Sequence, residues 1–139
     1  MTKVDFYILE SGSREQTACK LAEKAYQLGH RVYVHTASEN QARHMDELLW
    51  TFRDGSFLPH EPYQHGQEKT SPILVGAVEA PDTDSEVLIN LAHDVPLFFS
   101  RFLRVAEIIG SDEDTKRQGR ERFRFYRDRG YPLDTHQLG

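Results

Sequence analysis

Residues 3–36, KVDFYILESGSREQTACKLAEKAYQLGHRVYVHT, decide the class of fold. Val4, Phe6 and Ile8 alternate with Asp5 and Tyr7 between Lys3 and Leu9, the two-residue period of a strand, and the run is rich in β-branched and aromatic side chains. Ser11-Gly12-Ser13 breaks it. From Arg14 the period changes, and Ala18, Leu21, Ala22, Ala25 and Leu28 recur at helical spacing until Gly29 stops them. Arg31 to Thr36, with Val32 and Val34, is a second short strand. Strand, helix, strand at these lengths is the unit that joins parallel strands through a right-handed helical crossover.

The pattern continues outward from there. Ser38 opens a second helix with Ala42, Met45, Leu48 and Leu49 on one face. Pro59, Pro62, Gly66 and Pro72 punctuate a polar connection, after which Ile73 to Val78 is an almost continuous apolar run, as a strand buried on both faces requires. An acidic turn, Glu79 to Glu86, leads to a strand at Val87 to Ala92, a short helix at Leu97 to Phe102 and a strand at Arg104 to Ile109. Ser111 with Asp114 three residues on marks the start of a last helix, which Gly130 and Pro132 end. The tail from Leu133 to Gly139 holds too few apolar residues to form a core element. The expectation is one α/β domain over residues 1–139, an open, mostly parallel sheet with helices on both faces.

Several function classes find no support. No apolar run approaches the roughly 20 residues that cross a bilayer, and Asp5 interrupts any signal-like start, so the chain is expected in the cytoplasm with no membrane partner. Cys19 is the single cysteine, set among Ala18, Leu21 and Ala22, and reads as a small apolar core residue. In the turn after the first strand, Glu10-Ser11-Gly12-Ser13 holds one glycine beside an acid, which is neither a dinucleotide fingerprint nor a phosphate loop. A weak anion site at that helix start is the most it offers, and on it rests the alternative of a small nucleotide- or phosphate-binding enzyme. His30, His35, His44, His60, His65, His93 and His136 are scattered without metal-ligand spacing, and Ser11, Ser13 and Thr17 lie in no nucleophile elbow. The expectation is no enzyme, no metal and no cofactor.

Charge is concentrated near the carboxyl end. Between Thr115 and Tyr131 seven basic residues face two acidic ones, a local +5, and with a net charge of -5 overall the rest of the chain sums to -10. At 100° per residue Lys116, Arg120, Arg124 and Arg127 fall within about 80° of one another, one cationic stripe bordered by Phe123. Gly119, Arg122 and Tyr126 fall beyond Phe123, with Tyr126 toward the sheet. A solvated charged face is the plain explanation of such a stripe. The sharper one is a site for an acidic peptide ending in an apolar residue and carboxylate, because like charges at this spacing repel until an anion neutralises them. Direct single-stranded DNA binding fits less well, with one aromatic and an acidic remainder. Trp50, Phe57 and Pro59 make a second feature, either a core anchor or an exposed docking patch for another subunit.

Four segments together carry a family resemblance: Val4-Asp5-Phe6-Tyr7, Asp46-Glu47-Leu48-Leu49-Trp50, Ser56-Phe57-Leu58-Pro59-His60 and Arg120-Glu121-Arg122-Phe123-Arg124-Phe125-Tyr126-Arg127. From first strand to tail the chain resembles the chi subunit of bacterial DNA polymerase III. That resemblance implies a Rossmann-like fold without a nucleotide and a non-catalytic role in DNA replication. It implies a one-to-one partnership with the psi subunit, through psi a link to the clamp loader, and capture of the acidic, Phe-terminated tail of single-stranded DNA-binding protein, so that DNA is met only indirectly. Lys116, Arg120, Phe123 and Arg124 match the family's tail-binding positions, with Arg127 on the same stripe. Trp50 and Phe57, beside Pro59, match those that dock psi, and a repair helicase is the family's alternative partner there. Many members carry Tyr and Lys where this chain has Phe123 and Arg124.

Overall fold

A computed structural model describes every residue except Ser56, Thr83, Asp84 and Gly139. The first residue of the Ser56–His60 motif, two residues of the acidic turn and the end of the tail therefore lie outside the described residues. In chain order the elements are β1 (Lys3–Leu9), α1 (Arg14–Gln27), β2 (Val32–His35), α2 (Glu39–Thr51), β3 (His60–Pro62), β4 (Ile73–Gly76), β5 (Val87–Asn90), a 3-10 turn (Phe99–Arg101), β6 (Arg104–Ile109), α3 (Glu113–Asp128) and β7 (Leu133–Leu138). The seven strands form one sheet in the order β3-β4-β2-β5-β6-β1-β7, and every pairing is parallel.

The alternation of side chains along each strand divides the core into two layers. Val34, Ile73, Val75, Ile89 and Ile108 point to the face covered by α1 and α2, where Met45 and Leu49 are fully buried. Phe6, Tyr33, Leu88 and Val105 point to the other face, covered by α3 and the 3-10 turn with Phe99, Phe102 and Tyr126. Helices thus lie on both faces of an open parallel sheet, as the alternation requires. Cys19, on the buried face of α1, is wholly buried, and burial pushes its thiol up to about 12, so it packs as an apolar residue.

Several elements differ from expectation: β4 ends at Gly76, β5 at Asn90, and the short helix is a 3-10 turn over Phe99–Arg101. The N-cap of α3 is Asp112 rather than Ser111: its carboxylate accepts from the Thr115 amide at 3.2 Å and the Thr115 hydroxyl at 2.7 Å. Those bonds hold the carboxyl below the usual carboxylate range and set a full negative charge at the positive end of the helix dipole. The connection through Pro59 and Pro62 contains the edge strand β3. The tail is no loose end, for Leu133 to Leu138 pairs with β1 along its whole length. Its attachment is polar: Lys3 meets Asp134 at 2.8 Å, and His136 stacks on Tyr7 with its Nε2 3.0 Å from buried Asp5.

Candidate functional site

The position of α3 is set by two buried features. Gly119 faces β6, and a Cβ there would come within 2.3 Å of Ile109 Cδ1, so only glycine allows this approach. One turn further, Glu107 of β6 is wholly buried and accepts from Arg122 Nε at 2.8 Å, Tyr126 Oη at 2.7 Å and Asn90 Nδ2 at 3.0 Å. Arg122 also donates to the His93 carbonyl at 2.8 Å. Burial, with the Glu107 charge beside it, pushes the Tyr126 phenol far above its ordinary value, so it stays a donor. Arg122 is therefore one basic residue of the +5 segment that solvent never meets.

With α3 so placed, a groove opens between it and the β1–β7 edge. Phe6, Ile8, Ile109, Gly119 and Phe123 form an apolar floor, Thr135 closes one side, and Lys116 and Arg120 stand at the lip, around a volume of about 280 Å³. Phe123 is half-buried and meets Phe6 edge-on at 5.2 Å between ring centres. Lys116, Arg120 and Phe123, three of the five residues expected to bind a tail, thus line one cavity. Arg124 is exposed on the same helix, and Arg127 pairs with its neighbour Asp128 at 3.2 Å. Lys116 has Glu113 at 3.9 Å, a contact at the edge of ion-pair range. Among the described residues Arg120 and Arg124 have no acidic partner, so the lip keeps its positive charge. The apolar floor went unseen in the sequence, because Phe6, Ile8 and Thr135 come from strands that only the topology brings beneath α3.

Trp50 and Phe57 are not core anchors. They are 46% and 71% exposed, with ring centres 5.3 Å apart. Beneath them the buried His60 ring lies 4.2 Å from that of Trp50 and is pinned by the carbonyls of Leu58 at 2.6 Å and Asp46 at 2.9 Å. Pro59, between Leu58 and His60 in sequence, is half-buried. The patch is therefore exposed and rests on a fixed base, at the end of α2 and away from the α3 groove.

Just after the turn that follows β1, Arg14 opens α1. In open α/β sheets ligands sit where neighbouring strands send their connections to opposite faces, as β1 and β6 do here. At that point Arg14 reaches across, Nε donating to the Ile108 carbonyl at 3.0 Å and Nη2 to the Leu91 carbonyl at 3.3 Å. Its guanidinium is thereby committed to backbone carbonyls at the carboxyl ends of β5 and β6.

Comparison with known proteins identifies the family. The family model described as DNA polymerase III chi subunit, HolC, matches residues 1–134. The chain belongs to this family. Curated relatives carrying the name DNA polymerase III subunit chi include one from Pseudomonas aeruginosa, 42% identical over 99% of this chain and 98% of the relative. Those from Haemophilus influenzae and Escherichia coli are 30% and 27% identical, each over at least 96% of both chains. Membership makes the chain an accessory subunit of the polymerase III assembly in DNA replication. A solved structure titled the crystal structure of T4 UvsW shares the fold at a TM-score of 0.69 and 11% identity, matching 99% of this chain and 41% of that one. At that identity the likeness is one of fold alone. Among the described residues no helix is long and apolar enough to cross a membrane.

Proposed function

We propose that this chi-family chain is a non-catalytic adaptor. Its α3 groove receives the acidic C-terminal tail of single-stranded DNA-binding protein, and its Trp50–Phe57–Pro59 patch docks the psi subunit and, through psi, the clamp loader. One observation carries the first half: an apolar cavity sized for a side chain lies directly under the cations Lys116 and Arg120. A terminal aromatic ring would fill the floor, and its carboxylate would meet Arg120, whose fork can grip both oxygens. Arg124 and Arg127 continue the positive row for the acidic residues before it. Phe123 has no hydroxyl, so the tail is held here by packing and charge without a phenolic bond.

The second half rests on exposure. Two large aromatics beside a proline, on a base fixed by His60, have the composition of an interface centre rather than of ordinary surface. Titration with a synthetic acidic, Phe-terminated peptide tests the groove. The expected affinity is micromolar and falls with salt, and Arg120→Glu with Arg124→Glu abolishes it. An unchanged affinity in that double variant would place the site elsewhere.

A further inference from the structure

The two edges of the sheet are not alike. β3 has three residues and ends in Pro62, so it offers an incoming chain little to pair with. β7 has six residues with no proline, lysine or bulge, and its register with β1 is unbroken from Leu133 to Leu138. Val4 donates to the Pro132 carbonyl and Glu10 to the Leu138 carbonyl, each at 3.0 Å. Alternate residues of a parallel strand bond to the same neighbour. Asp134, His136 and Leu138 therefore turn their backbone groups toward β1, and Leu133, Thr135 and Gln137 turn theirs outward. Among the described residues no strand pairs with that outer row.

Beside this row lies charge of the opposite sign to the proposed tail. As a crossover helix, α3 runs antiparallel to the strands it joins, from the carboxyl end of β6 back to the start of β7. Its 16 residues span about 24 Å, and the 6 residues of β7 span about 20 Å. Lys116 and Arg120 stand at the groove, and exposed Arg124 and Arg127 follow toward the amino end of β7. Thr135 pairs with Phe6 and lines the groove, so the side chains of the outward row are on the α3 face. A row of free backbone groups and a row of cations thus flank one strip of surface, with the apolar cavity toward one end. We propose that the acidic tail entering the α3 groove adds to the sheet as an eighth, parallel strand, its backbone bonding to Leu133, Thr135 and Gln137 and alternate carboxylates reaching Arg124 and Arg127. This pairing rests on the groove function proposed above and extends it. With the terminal carboxylate at Lys116 and Arg120, the chain before it runs in the same direction as β7. Backbone bonds would hold any extended chain, and the cations select an acidic one.

The test leaves the protein unaltered. In the full chain labelled with ¹⁵N, the synthetic acidic, Phe-terminated peptide should slow hydrogen exchange at Leu133, Thr135 and Gln137 by about tenfold or more, with little change at the inward amides of Asp134 and His136. Two N-methylated forms of that peptide keep its charge and its terminus. One carries methyls on the odd amides counted from the terminal Phe, the other on the even ones, so that only one form blocks the amides that face β7. Their affinities should differ about tenfold, the effect of one or two hydrogen bonds. A nitroxide at the amino end of the peptide should broaden Leu133 before Gln137. Equal affinities, unchanged exchange along β7 with the peptide bound, or broadening in the reverse order would overturn the pairing and leave the groove standing. An unmethylated peptide that fails to bind would overturn both. Protection of the same three amides in the free protein, rising with protein concentration, would give the edge to a second copy of the chain and overturn the pairing as well.

Discussion

Arg122→Met tests whether a buried ion pair holds α3 in place. Arg122 and Glu107 keep 3% and 0% of their side chains exposed, and the Nε–Oε1 distance is 2.8 Å. Methionine fills a similar volume but leaves the Glu107 carboxylate with only Tyr126 and Asn90 as donors, both neutral. Stranding one charge of such a pair costs about 3–5 kcal/mol, which for a chain of this size lowers the melting temperature by roughly 10 °C or more. Removing the other charge as well, in Glu107→Gln with Arg122→Met, takes away the stranded carboxylate and should recover most of that loss. Urea denaturation of the three proteins at pH 7 measures both steps. A single variant costing under about 1 kcal/mol, the range of an exposed pair, or a double variant no more stable than the single one, would refute the assignment of Glu107–Arg122 as the clamp on α3.

Gly119→Ala drives a methyl into Ile109, so a loss of about 1–3 kcal/mol is expected from overpacking. Calorimetry with the acidic peptide should show weaker binding too, since Ile109 forms part of the groove floor. Phe57→Ala should change stability by no more than about 0.5 kcal/mol, as exposed substitutions do, yet abolish co-purification with psi; a folded variant that still carries psi would remove Phe57 from that surface. Burial pushes the Asp5 carboxyl up, but hydrogen bonds from His136 and Arg104 outweigh it and leave the net value below the usual one. Its contribution is therefore complete above the ordinary aspartate range and lost as pH falls through the depressed value. Asp5→Asn should cost about 1–3 kcal/mol at pH 7, with the gap to the parent closing in acid when both are melted across pH.

Much of this molecule could be read before it was seen. The β1–α1–β2 alternation, the unbroken apolar run of β4 and the 100° arithmetic along α3 each depend on local periodicity, which tertiary packing here reinforces. β3 and β7 carry no such signal. His60-Glu61-Pro62 is too short for a period, and Leu133–Leu138 presents alternating polar residues because as an edge strand it is held by backbone pairing and by Asp134 and His136 rather than by an apolar face. The α3 cap slipped by one residue because Ser111 and Asp112 are both good caps and only the geometry distinguishes them. The cationic half of the groove was visible on one helix. Its apolar half is split among β1, β6 and β7, and no spacing rule links Phe6 to Thr135.

The place of β1 in the sheet has a consequence for biosynthesis. A ribosome delivers this strand before the other six of its sheet, yet both of its lateral neighbours, β6 and β7, are the last to emerge. Through most of translation the nascent segment has neither of the ladders that will flank it, and its Phe6 and Ile8 lack the helix that will cover them. Hydrophobic, unpaired and waiting, it is the part of the newborn polypeptide where a chaperone has most to shield.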